Sequence, residues 1–73
     1  MHQVIVWNNA GERSVLDSPT EKSALALAKT VRTLDNRTVK VACGGQSWHH
    51  WSRATHLTRN HWSARAVHDE YLL

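Results

Sequence analysis

Residues 17–21, with the sequence DSPTE, constrain the fold of this chain more than any other segment. Ser18 is a residue type that caps helices, and Pro19 follows it at a position where a missing N–H costs nothing. Glu21 stands where its side chain can reach back to the cap. The pattern predicts a helix that begins at Ser18 and ends near Leu34. Its apolar stripe comprises Ala24, Leu27, Ala28, Val31 and Leu34.

Strand patterns lie on both sides of this helix. Residues 3–8 are rich in β-branched and aromatic side chains, and the turn-forming NNAG that follows predicts a hairpin with residues 12–16. Asn36 is expected to end the helix in a left-handed conformation. Residues 38–43 then alternate as a strand does. Val39, Val41 and Cys43 are predicted on one face, and Thr38, Lys40 and Ala42 on the other.

Two glycines at positions 44–45 predict a two-residue hairpin loop. Residues 46–53 are then a fourth strand. In this register Trp48 lies opposite Val41 and faces the core, whereas Trp51 points to the opposite face and is expected to be exposed.

The predicted fold class is α+β, a single small domain in which one helix packs on a three- to four-stranded, mostly antiparallel sheet. Residues 1–54 form its compact ββαβ(β) part. A helix over residues 47–55 is the alternative to the fourth strand, because Trp48, Trp51 and Thr55 recur at helical spacing. Residues 55–73 are a poorly patterned tail, either disordered until a partner binds or helical over residues 60–71.

The first strand is apolar on both of its faces. Val4 and Val6 lie on one face, and Ile5 and Trp7 lie on the other. Because one helix covers only one face of a sheet, either the tail folds over the second face or that face binds a partner.

The net positive charge comes from the second half of the chain, because residues 1–36 carry four basic and four acidic residues. Between Arg37 and Arg65 there are five basic residues and no acid, with four of the 6 histidines and three of the 4 tryptophans, so the net charge of +3 originates there. The single cysteine rules out an internal disulfide and favours a reducing compartment. No apolar run approaches the ~20 residues that cross a bilayer. A soluble, cytoplasmic protein is expected.

The cysteine and histidines form no complete ligand set for zinc. His56 and His61 have the spacing of a finger's second ligand pair, but Cys43 has no partner for a first pair. Cys43 with His50 as base would be a nucleophilic pair, yet a cysteine on an apolar strand face usually acts as a small hydrophobe. We expect no metal, no cofactor and no enzymatic activity. The candidate ligands considered are Cys43, His49, His50, His56, His61 and His68.

Aromatic and basic side chains concentrate in residues 48–53. Such side chains stack on unpaired bases and contact phosphates, and the same residue types dominate protein interfaces. Because no nucleic-acid-binding motif is present, a protein partner is favoured and nucleic acid is secondary. The candidate partner-binding residues are Trp7, Trp48, His49, His50, Trp51 and Arg53.

The segments VIVWNN, SPTEKSALALAKTVRTL and TVKVACGG, followed by a basic end that contains WHHW, resemble in size and layout the small transcription regulators of lytic phages. That resemblance implies binding to the largest subunit of the host bacterial RNA polymerase, in the host cytoplasm. It also implies sigma displacement, inhibited initiation and antitermination. The alternatives are a single-stranded nucleic-acid-binding protein and another phage host-takeover inhibitor, such as an anti-CRISPR. The oligomeric state stays open.

Overall fold

The computed structural model describes residues 1–54 and 60–65. In these residues one helix, α1 (Glu21–Val31), accompanies five strands. The α+β class is confirmed, but the sheet has five strands rather than three or four. No helix in the described part of the chain is long and apolar enough to cross a membrane. The strands are β1 (His2–Asn8), β2 (Arg13–Ser18), β3 (Asn36–Cys43), β4 (Gln46–Arg53) and β5 (Trp62–Ala64).

The strands form one antiparallel sheet in the order β2-β1-β3-β4-β5. The helix connects β2 to β3 and packs against β1, β2 and β3. Because directly paired residues of antiparallel strands share a face, the register assigns each side chain either to the helix side or to the opposite side. We call the opposite side the open side, because no described helix or strand packs on it. This division determines which residues can form a binding surface.

The core lies between α1 and the two central strands. Ala24 and Ala28 are fully buried, and their small side chains let the helix approach the sheet closely. The valine rows that they meet come from β1 and β3, and burying each valine contributes about 2 kcal/mol. These buried valines are Val4, Val6, Val39 and Val41.

The helix begins two residues later than predicted. Thr20 is the N-cap, because its hydroxyl accepts a hydrogen bond from the Ser23 N–H at 3.1 Å and its own N–H donates to the Ser23 hydroxyl at 3.3 Å. Ser18 instead ends β2, where its hydroxyl bonds that of Ser23. Pro19 therefore precedes the cap. The reciprocal capping box that the sequence assigns to Ser18 and Glu21 is formed by Thr20 and Ser23.

The helix also ends earlier than predicted, at Val31. Leu34 is 48% exposed and does not continue the apolar stripe. Asn36 is not a left-handed cap, since every described residue with positive φ is a glycine. It lies in β3, from which its side-chain amide donates to the Val31 carbonyl at 2.7 Å. The Asn36 side chain therefore satisfies a carbonyl at the end of the helix, but it does so from β3 and not as a helix cap.

The predicted hairpin between β3 and β4 is confirmed. Cys43 pairs with Gln46, and the loop glycines Gly44 and Gly45 have φ of 63° and 80°. Positive φ at both positions is what a type I′ turn requires. The strand over residues 46–53 is therefore correct, and the helical alternative over residues 47–55 is wrong.

A register shift inside this hairpin reverses the predicted roles of two tryptophans. The shift lies between Val41 and Ala42, so Val41 pairs with His49 rather than with Trp48. Trp51 consequently faces the helix and packs against the core. Trp48 lies at the bulge and is 58% exposed. The predictions that Trp48 is a core residue and that Trp51 is exposed are both wrong.

The fifth strand lies within the segment predicted to be a tail. Trp62 pairs with Arg53 and Ala64 pairs with Trp51, so β5 extends the sheet beyond β4. The predicted helix over residues 60–71 is wrong for the residues of β5. Its remainder from residue 66 onward lies outside the described residues.

Candidate functional site

The open side of the sheet carries a shallow depression beside Trp7. Its volume is about 250 Å³. Ile5 and Ala42 lie on the same side of the sheet and are buried, with 4% and 0% exposure. The depression is lined by Trp7, Arg37, Thr38, Lys40 and His50.

Pairing between β1 and β3 brings the first of these groups together. Trp7 pairs with Thr38, and Ile5 pairs with Lys40, which places Lys40 diagonally from the indole. The Lys40 ammonium lies 5.6 Å from the centroid of the Trp7 ring, within the range of a cation–π contact.

A bulge places Arg37 at the rim. The β1–β3 register shifts between Trp7 and Asn8, since Trp7 pairs with Thr38 but Asn8 pairs with Asn36. Arg37 is the extra residue of β3, and its side chain lies so close to Gly11 that a Cβ there would be 3.3 Å from the guanidinium. Gly11 has φ of 86°. A glycine in the first hairpin therefore gives the arginine room beside the depression.

His50 extends the site across β4. It pairs with Lys40, and its carbonyl accepts a hydrogen bond from the Arg65 N–H at 2.8 Å. The Arg65 guanidinium donates to the Ser52 hydroxyl at 2.6 Å. Lys40, His50 and Arg65 thus form a row across three neighbouring strands.

Burial and neighbouring cations make this row electrostatically strained. Burial lowers the pKa of His50 below its usual value, and the charges of Lys40 and Arg65 lower it further. Burial also lowers the pKa of Lys40. The lowered pKa favours the neutral form of the imidazole.

Arg13 adds a fourth full cation, because it pairs with Trp7 from β2. Asp17 is an acid on the same side, but it pairs with Gln3, four residues from Trp7 along β1. That separation corresponds to about 13 Å along a strand. We call this surface the cationic face. It comprises Trp7, Arg13, Arg37, Lys40, His50 and Arg65.

Of the residues predicted to bind a partner, Trp7 and His50 lie on the cationic face. His49 lies on the helix side, where it contacts the Glu21 carboxylate at 3.2 Å and stacks on Trp51 with ring centroids 5.6 Å apart. Arg32 also packs on the Trp51 ring, with its guanidinium carbon 4.3 Å from the ring centroid. This aromatic stack fastens β4 to the helix.

Arg53 is also a structural residue. It is 7% exposed, and its guanidinium donates to the carbonyls of Asn36 and Leu34 at 3.0 and 2.8 Å. A further hydrogen bond, of 2.9 Å, goes to the Asn9 side chain. Arg53 therefore links the loop residues Asn9 and Leu34 to the start of β3. Because it is buried, its charge is not available to a partner.

Four members of the site were not predicted as binding residues: Arg13, Arg37, Lys40 and Arg65. A signal for Lys40 existed, because alternation in residues 38–43 predicts Thr38 and Lys40 on the face opposite the apolar one. The signal for Arg37 was absent, since its position depends on a bulge. Arg65 belongs to the site because β5 forms, and the sequence predicts no strand there.

The described residues support neither a metal site nor a nucleophilic pair of Cys43 and His50. Within residues 1–54 and 60–65, no three cysteine, histidine or acidic side chains lie close enough to hold a metal ion. His56 and His68, two of the candidate zinc ligands, lie outside the described residues. Cys43 is on the helix side of β3 with Val41, whereas His50 is on the open side, so the sheet separates the candidate nucleophile from its base.

Comparison with known families identifies the chain. Residues 1–71 match the family model described as PilI, plasmid conjugative transfer protein. The chain belongs to the PilI family. No curated protein and no solved structure matches this PilI-family chain.

This membership corrects the interpretation drawn from the phage resemblance. A family of plasmid conjugative transfer proteins is not a family of phage regulators of RNA polymerase. The expectations of RNA polymerase binding, sigma displacement, inhibited initiation and antitermination are therefore wrong. The resemblance to phage regulators depended on similar length and a similar order of elements, and no sequence motif supported it.

Proposed function

We propose that this PilI-family chain acts in plasmid conjugative transfer as a non-catalytic binding protein, and that the cationic face is the surface that contacts its partner. The family match supports the process. The observation that supports the surface is the depression at Trp7, around which three strands and a bulge gather cationic groups.

The helix side of the sheet is a poorer candidate. There Trp51 packs against the core, and His49 contacts Glu21. Catalysis is disfavoured because Cys43 and His50 lie on opposite sides of the sheet. A partner that carries negative charge would complement the open side without disturbing the core.

A mating assay tests this proposal. The gene is deleted from its plasmid and restored with the wild-type chain, with the double variant Arg37→Glu/Lys40→Glu, or with the control Lys22→Glu/Lys29→Glu. The control makes the same change in charge at exposed positions of α1. We expect deletion to lower the transfer frequency, and the wild type and control to restore it. The cationic-face variant should stay at least tenfold lower.

Two outcomes would contradict the proposal in different ways. If deletion leaves the transfer frequency unchanged, the chain has no role in conjugation under those conditions. If the cationic-face variant restores transfer as fully as the control does, the role stands but the surface is wrong. Urea unfolding of the purified variants, followed by circular dichroism, establishes that each one folds.

A further inference from the structure

Building on the proposed function, we infer that the cationic face binds single-stranded nucleic acid. A base stacks against Trp7, and the phosphates of the nucleic acid contact Arg37, Lys40 and Arg65. Three features carry this inference: the arrangement of the charges, the hydroxyl groups beside them, and the scarcity of exposed apolar side chains on the described part of the face.

One row of the face extends across the sheet, with the cations Lys40 and Arg65 on either side of the His50 imidazole. Lys40, His50 and Arg65 come from β3, β4 and the end of β5. Adjacent strands are about 4.8 Å apart, so the row extends about 10 Å across the sheet. A single small anion would reach only part of this row. A polymer with regularly spaced phosphates can contact all of it.

A second row supplies hydroxyl groups parallel to the first. Trp7 pairs with Thr38, Thr38 pairs with Ser52, and Ser52 pairs with Ser63. Serine and threonine hydroxyls, together with arginine and lysine, provide many of the contacts to phosphate and sugar. An aromatic ring beside such rows is the arrangement with which proteins bind unpaired bases without reading sequence.

The composition of the face disfavours a protein partner. The centres of protein interfaces are depleted in charged residues, and lysine is depleted among interface residues generally. Here charged groups flank Trp7, and among the described residues the exposed aliphatic side chain on this side is Val15, at 47%. Trp51, which would have been an interface anchor, belongs to the core instead.

Fluorescence anisotropy with a labelled 15-nucleotide oligothymidylate tests the inference, at salt concentrations from about 50 to 200 mM. We expect the wild type and the control Lys22→Glu/Lys29→Glu to bind. Arg37→Glu/Lys40→Glu should bind at least tenfold more weakly. For this variant, the slope of the logarithm of the binding constant against the logarithm of the salt concentration should also be shallower, by about 0.7 for each phosphate that the variant no longer neutralises.

The stacking interaction is tested separately, because it involves no charge. Trp7→Leu should weaken binding about tenfold with an unchanged salt dependence, since one base stack contributes roughly 1–3 kcal/mol. The matched control is Trp48→Leu, which removes an exposed tryptophan away from the depression and should bind like the wild type. Urea unfolding of both variants separates loss of binding from loss of folding.

Several results would overturn the inference. These are no binding by the wild type at the lowest salt concentration, an equal loss in the two double variants, or displacement of the oligonucleotide by polyglutamate at the same charge concentration. The last result would point to an acidic protein segment. The proposed function would survive any of them if the cationic-face variant still failed in mating. The proposed function would fail, and this inference would stand, if oligonucleotide binding were confirmed but deletion of the gene did not affect transfer.

Discussion

Among single residues, Arg53 shows most clearly why a cation in this chain need not serve binding. Its guanidinium is buried and makes three hydrogen bonds, two of them to backbone carbonyls. Hydrogen bonds that involve a charged group contribute more than neutral ones, and a buried acceptor left without a donor is costly. A basic residue in an aromatic, basic segment can therefore be a structural residue.

We predict that Arg53→Met lowers the free energy of unfolding by about 3 kcal/mol. Methionine retains the apolar stem but leaves the carbonyls of Leu34 and Asn36 without their donor. Arg53→Lys should also destabilise the fold, because one ammonium cannot reach acceptors in three directions. Urea unfolding at pH 7 measures the change. The control Lys22→Met, at an exposed helix position, should stay within about 0.5 kcal/mol of the wild type.

His50 gives the cationic face a dependence on pH. Its lowered pKa means that the folded chain takes up a proton less readily than the unfolded chain does. Protonation therefore favours unfolding, and stability decreases as pH falls through the usual value of 6.5 and below it. Among the described residues, Lys40, Arg37 and Arg65 are the charged groups that face the ring from β3 and from the end of β5.

We predict that His50→Gln loses less stability than the wild type between pH 7 and pH 5. The variant lacks the group whose protonation is unfavourable in the fold. Lys40→Met should give an intermediate loss, because it removes one of the cations that lower the His50 pKa. Urea unfolding at half-unit pH intervals provides the comparison. Identical pH dependence in the wild type and His50→Gln would contradict the assignment.

At the scale of the elements, β4 shows what the sequence can and cannot specify. The glycines at positions 44–45 adopt positive φ, so the loop and the strand that follows it could be predicted. The bulge opposite Ala42 could not, because no residue type marks it. Since side chains alternate, a one-residue shift moves each side chain to the other face. This shift exchanged the roles predicted for Trp48 and Trp51.

The corrected register predicts opposite outcomes for these two tryptophans. Trp51→Leu should lower the free energy of unfolding by about 2 kcal/mol, because it removes core packing and the interactions with His49 and Arg32. Trp48→Leu, at the exposed bulge, should change it by less than about 0.5 kcal/mol. Urea unfolding measures both. Equal losses, or a larger loss for Trp48→Leu, would show that the register is wrong.

The other elements also differ in how well they could be predicted from the sequence. The helix was predictable from its apolar spacing, although its cap lies at Thr20 because Ser18 is used by β2. The strand β5 was not predictable, since three residues with one large apolar side chain carry no period. The candidate site depends on this strand and on two bulges. The pattern of residue types in the sequence therefore predicted the helix side of the sheet better than the open side.

Across the whole molecule, the two sides of one sheet differ in composition. The helix side contains the described core, the Trp51 stack and the buried Arg53. The open side concentrates charge around Trp7. Under the proposed function, stability and binding depend on different residue sets, and charge substitutions on the open side should affect partner binding more than folding.

Stability should also vary across the sheet. The strands β1 and β3 hold the fully buried valines, whereas β5 has three residues, of which Ser63 and Ala64 are exposed. We predict that amides of β1 and β3 exchange hydrogen through global unfolding, while those of β5 exchange at least tenfold faster through local opening. Hydrogen exchange followed by NMR at increasing urea concentrations distinguishes the two routes. If β5 amides show the same exchange free energy and urea dependence as β3 amides, the fifth strand is part of the cooperative core. Arg65 would then be held as firmly as Lys40 is.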